Sequence, residues 1–147
     1  MYKINKIKEI YGVPLTSSPA AVSTIKAHFK DTGLPTDYYD LVLTGDLGVL
    51  GKELALDMLK DENVDFGKRY DDCGCMIFDT KKQDMHSGGS GCGCSASVLC
   101  GDILPRMRRG DLKNILFVAT GALLSTTSSQ QGESIPGIAH LVHFRAE

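Results

Sequence analysis

No stretch of this sequence stays apolar for long. The longest run free of charge and strong polarity, Ile115 to Leu124, includes Thr120 and Gly121. It falls well short of the ~20 residues that a spanning helix needs, so no membrane span is expected. Lys3, Lys6 and Lys8 are followed by no continuous apolar segment, and a secretory signal is not expected either. Charge of one sign is also missing, since 16 basic and 18 acidic residues leave a formal net charge of -2. That balance excludes a general attraction to nucleic acid or to an anionic membrane. The one basic cluster, Arg106, Arg108, Arg109 and Lys113, suits the solvated end of a helix, where cations complement the dipole. An even cysteine count is lacking as well. The cysteines are Cys73, Cys75, Cys92, Cys94 and Cys100, which do not read as a secreted disulfide framework. A reducing, cytoplasmic setting is expected.

What is present is ordinary globular material. A chain of 147 residues, 42% hydrophobic and 23% charged, suits one compact domain that needs no staple to bury its core. Residues 1–18 read as an appendage, because the helical spacing of Ile4, Ile7 and Tyr11 is cut short by Gly12 and Pro14. Residues 19–147 read as the domain. Ser18 and Pro19 mark a helix start, Val22, Ile25 and Phe29 form its apolar face, and Gly33 and Pro35 stop it. Leu41-Val42-Leu43-Thr44 reads as a buried parallel strand with Gly45-Asp46-Leu47-Gly48 as its exit loop. A second helix follows, with Leu47, Leu50, Leu54 and Met58 on one face. Cys75-Met76-Ile77-Phe78 reads as another short strand ending at Asp79. A third helix opens at about Ser95 and carries Val98, Leu99 and Ile103, and Pro105 is expected to kink or shorten it. Ile115-Leu116-Phe117-Val118 predicts a strand buried on both faces. The polar residues 125–134 read as a long loop, a feature that often carries function. The final segment alternates Ile138, His140, Val142 and Phe144 with Ala139, Leu141 and His143, which predicts a strand partly covered on both sides. The order helix, strand, helix, strand, helix, strand, strand argues for an α/β fold with a mixed sheet packed by helices.

The most informative feature is the run His86-Ser87-Gly88-Gly89-Ser90-Gly91-Cys92-Gly93-Cys94. Successive glycines let backbone N–H groups approach a ligand, and the helix after them points its positive end the same way. The run fits neither G-x-x-x-x-G-K-[ST] nor G-x-G-x-x-G, and tight packing against a neighbouring strand would explain it as well as an anion site. The pairs Cys73/Cys75 and Cys92/Cys94 invite a metal reading. C-x-C is a poor chelate spacing, however, and free cysteine is a common small buried residue, so neither metal nor other cofactor is expected. Cys92 is read as packed. His86 can donate to a carboxylate, while most lone loop histidines do nothing of the kind. Asp46, at the carboxyl edge of its strand, lies where α/β proteins place functional groups, or else it caps the next helix.

Several strings resemble one family together: Thr44-Gly45-Asp46-Leu47-Gly48, the run from Asp72 to Asp79, the run from His86 to Ala96, Phe117 to Ser125, and Gln130 to His140. They resemble the stage V sporulation protein AD family, from about Pro19 to the end of the chain. The resemblance implies a thiolase-like half-domain, the second of two similar α/β halves. It also implies binding of pyridine-2,6-dicarboxylate (dipicolinate), free or calcium-chelated, in support of its uptake into the developing endospore. Implied partners are other stage V sporulation proteins of a membrane-associated complex, at a cytoplasmic location peripheral to the inner spore membrane. A half-fold also leaves an apolar face open, so a homo-oligomer or a first-half partner chain is expected. The ligand site is expected where the strand exit, the glycine run and the next strand end converge: Asp46, His86, Ser90, Gly91, Cys92, Gly93, Thr120 and Gly121. Thiolases take their cysteine nucleophile from the first half, and the second-half His or Asn positions here read Cys92 and Gly45-Asp46. The resemblance therefore implies binding without catalysis. The alternatives are acyl transfer, with Cys92 as nucleophile and His86 as base, and a purely structural assembly module.

Overall fold

The computed structural model describes residues 17–122, 130–131 and 136–147. The expected appendage, save its last two residues, and most of the polar loop over 125–134 lie outside the described residues. Helix α1 spans Ser17–Thr32 and buries Ala21, Val22 and Ile25. It ends at Gly33, whose φ of +67° suits a residue without Cβ and whose N–H donates to Phe29 O at 3.0 Å. Ser18, expected as the cap, instead lies inside the first turn and donates its hydroxyl to Gly51 O at 3.0 Å. That bond ties α1 to α2, which spans Gly48–Asp61.

The expected face of α2 holds at Met58, which is buried, and at Leu47 and Leu54, which pack against the core, and fails at Leu50. Gly51, Ala55, Met58 and Leu59 are buried, while Leu50 is 44% exposed. At Leu50 the hydrophobic spacing selects a leucine, but the approach of α1 to α2 turns the neighbouring small residue Gly51 inward instead.

Strand β1, Leu41–Thr44, is buried at all four positions. It lies between two parallel neighbours, β2 (Tyr70–Asp72) and β3 (Asn114–Ala122), so both of its edges are hydrogen-bonded. The strand expected at 75–78 is thus found earlier, at Tyr70–Asp72. Cys73–Met76 forms a short helical turn, α3, because the Asp72 side chain accepts from Gly74 N–H and caps it. Local capping overrides the short apolar run.

Helical residues resume as α4 (Cys94–Val98), pass through a π-turn (Leu99–Ile103), and continue as α5 (Leu104–Arg108). In the π-turn Leu104 N–H reaches back to Leu99 O, and Pro105, expected to kink or shorten the helix, stands just after it in the first turn of α5, where no donor N–H is needed. Strand β4, Gly137–Arg145, runs antiparallel to β3. The sheet order is β2-β1-β3-β4, with the first three strands parallel. This mixed sheet packed by helices is consistent with a half-domain. One core joins Val42, Leu116 and Val118 to α1 and α2. The other joins Leu43, Ile115 and Phe117 to Val98 and Ile103. Strand β4 is partly covered on both sides, as expected, though unequally. Ala139 and Leu141 pack on the first core, but the second reaches only Phe144, leaving Ile138 54% and Val142 47% exposed.

Candidate site at the carboxyl edge of the sheet

The carboxyl ends of β1 and β3 lie side by side, and the loop after β1 runs directly over the end of β3. Gly45 makes that possible, since a Cβ there would stand 2.8 Å from Thr120 N. Asp46 N–H donates to Thr120 Oγ1 at 3.2 Å, and the Thr120 hydroxyl donates to Asp46 Oδ1 at 3.1 Å. The other carboxylate oxygen, Oδ2, accepts from Ser90 Oγ at 3.1 Å and from Gly91 N–H at 2.9 Å. One carboxylate thus gathers donors from β3 and from the glycine run. Asp46 does not cap α2 with its side chain.

The residue that holds the β1–α2 loop from below is Asp72, which sequence reasoning passed over. It is fully buried. Its Oδ2 accepts from Thr44 Oγ1 at 2.7 Å and Leu47 N–H at 3.0 Å, and its Oδ1 from Gly48 N–H and Gly74 N–H, both at 2.9 Å. Burial pushes its carboxyl above the usual carboxylate range, and these four donors pull it back. Burial likewise raises the Tyr70 phenol, whose oxygen lies 3.1 Å from Thr44 Oγ1. The available signal was an aspartate one residue before Cys73-Gly74, the pattern of a helix cap.

The glycine run divides into two parts. Residues 87–89 pack: Val49 N–H donates to Ser87 O at 2.7 Å, and Gly89 N–H donates to Gly74 O at 2.7 Å. A Cβ on Gly48, whose φ is +69°, would stand 2.6 Å from Ser87 O. The second part is open, since a Cβ on Gly91 or Gly93 would meet nothing within 4 Å. Tight packing and an accessible backbone, weighed as alternatives from the sequence, occur in succession.

A cleft of ≈ 670 Å³ opens above the loop. Asp46, Ser90, Gly91, Cys92, Thr120 and Gly121 all line it, so six of the eight expected site residues are brought together. Gly93 lies outside. His86 does too: its side chain is 90% exposed, with Nδ1 3.6 Å from Asp84 Oδ1. No lysine, arginine or histidine is among the described lining residues. Cys92, read from the sequence as packed, is exposed, because the open part of the glycine run gives it nothing to pack against. Burial raises the thiols of Cys73, Cys75 and Cys94, with Cys75 pushed up to about 12. No group of three or more His, Cys, Asp or Glu placed to hold a metal occurs among the described residues.

Comparison with known proteins adds two findings. The family model described as stage V sporulation protein AD matches residues 7–145. Stage V sporulation protein AD of Bacillus subtilis (strain 168) is 50% identical over 127 residues, which cover 86% of this chain and 37% of that protein. The chain therefore spans little more than a third of that relative's length.

Proposed function

This chain belongs to the stage V sporulation protein AD family, and from that premise we propose that its cleft binds dipicolinate without transforming it. In this reading the chain supports movement of dipicolinate into the developing endospore. It works from the cytoplasmic side of the inner spore membrane, beside other stage V sporulation proteins. Among the described residues no helix is long and apolar enough to cross a membrane. The observation that carries the reading is that the cleft already fits a carboxylate. Ser90 Oγ, Gly91 N–H and Thr120 Oγ1 converge on the Asp46 carboxylate at 2.9–3.1 Å. Hydroxyl and backbone donors of this kind suit a planar carboxylate. The cleft volume of ≈ 670 Å³ lies within the usual range for small-molecule sites.

Acyl transfer is favoured by one feature, the exposure of Cys92 at the cleft. It lacks the partner it needs, since His86 projects to solvent beside Asp84. Calorimetry with dipicolinate, with and without calcium, tests the binding reading. Replacement of Gly91, whose φ is +115°, by leucine strains the backbone and turns its N–H away. We expect heat from the native chain and at least tenfold weaker binding in Gly91→Leu. No heat from the native chain under either condition overturns the reading.

A further inference from the structure

We infer that Asp46 is a built-in occupant of the carboxylate site, an internal competitor that an incoming carboxylate must displace. The inference rests on reading the cleft as a carboxylate site, and it adds how that site is controlled. The two aspartates of this region differ in a way that points to it. Asp72 is fully buried and takes three of its four bonds from main-chain N–H groups, as a structural carboxylate does. Asp46 is only part-buried, lines the cleft, and takes two of its three side-chain bonds from hydroxyls that are free to turn. Its third donor, Gly91 N–H, belongs to the open part of the glycine run.

Nothing cationic offsets this carboxylate along the cleft, since the described lining holds no lysine, arginine or histidine. A second carboxylate entering beside Asp46 meets a like charge and finds the converging donors already taken. If the Asp46 side chain rotates away, the same three donors receive the newcomer in its place. Two arrangements therefore share one set of donors. The ligand class is a small aromatic or aliphatic carboxylate, bound in competition with Asp46.

The test uses the full chain with two probes, benzoate and dipicolinate, each measured by calorimetry with and without calcium. Asp46→Ala frees the donors, and Asp46→Asn removes the charge while keeping the side chain's volume. Circular dichroism and urea unfolding report whether each variant folds. The expected result is at least tenfold tighter binding of benzoate by Asp46→Ala than by the native chain, with Asp46→Asn between them. Dipicolinate is expected to follow the same order in the absence of calcium. If Asp46→Ala binds benzoate more tightly but ignores dipicolinate, the competitor role stands and the dipicolinate reading falls. If the native chain binds dipicolinate as tightly as both variants do, the competitor role is overturned and the dipicolinate reading stands. If binding needs calcium and Asp46→Ala abolishes it, Asp46 shares the cation and is not a competitor. If both variants unfold, or neither binds either probe, Asp46 is a structural tie and the inference is overturned.

Discussion

Replacing Asp72 tests whether a single buried carboxylate organises the floor of the cleft. In Asp72→Asn the new amide nitrogen must stand at one of the two oxygen positions. At the Oδ1 position it faces both Gly48 N–H and Gly74 N–H, and two donors lose their acceptor. At the Oδ2 position it faces Leu47 N–H and the Thr44 hydroxyl. Thr44 can then turn its proton to Asp71 O, 3.3 Å away, and accept from the amide. Only Leu47 N–H remains orphaned in that arrangement, at a cost of about 1–3 kcal/mol. Asp72→Ala orphans three N–H groups, roughly 3–9 kcal/mol by the same measure, and leaves a cavity besides. That rivals the whole stability of a domain this size, about 5–15 kcal/mol. In urea, a slope of about 1–3 kcal/mol per molar places the Asp72→Asn midpoint roughly 1 M below native, with Asp72→Ala largely unfolded in buffer. The pH dependence follows from the raised folded-state pKa. A carboxyl that holds its proton better in the folded chain contributes stability below the ordinary carboxylate range. It loses that contribution as pH rises through the raised value. The native chain is thus expected to lose some stability across that window, and Asp72→Asn to remove that part of the slope. An Asp72→Asn chain that unfolds at or above the native midpoint refutes the reasoning.

Two further expectations are direct. Under native conditions near neutral pH, iodoacetamide labels the exposed Cys92 and Cys100, while Cys73, Cys75 and Cys94 react only after unfolding; mass spectrometry showing five labelled cysteines in the folded chain counts against the packing described. The exposed pair Ile138 and Val142 is expected to drive self-association at micromolar concentration, and Ile138→Lys with Val142→Lys to reduce it without lowering the unfolding midpoint. A monomer at every micromolar concentration in sedimentation velocity excludes that face as a contact.

Much of this architecture was legible because one period dominates each element. Leu41 to Thr44 and Ile115 to Val118 are continuous apolar runs, and a strand with covered faces and two paired edges needs just that. The misreadings have a common cause. Cys75 to Phe78 has strand composition, yet Asp72 caps the turn before it and no hydrophobicity pattern registers a cap. Leu50 has the right spacing to be core, yet Gly51 and Ala55 take the buried positions against α1. The convergence of Asp46, Ser90, Gly91 and Thr120 was legible in outline, because all lie near the carboxyl edge of parallel strands. That the Asp46 carboxylate would consume those donors was not legible. It depends on distances between residues 44 and 74 positions apart, which no local pattern encodes.

The β1–α2 loop lies between these two carboxylates, and the difference in their exposure decides what each can do. Asp72 fixes Leu47 and Gly48 from the interior side, where water cannot compete for its donors. Gly48 in turn seats against Ser87, and Gly74 against Gly89, so the packed half of the glycine run is held by the same buried group. The open half begins at Ser90, where the backbone leaves this support and its donors turn to Asp46. Rearranging Asp46 therefore breaks two exposed bonds and one part-buried bond, and leaves the four bonds beneath the loop intact. Thr120, carried on β3, keeps its place whether Asp46 or another carboxylate accepts from it, while Ser90 and Gly91 lie beyond the buried support and meet the occupant from the open side.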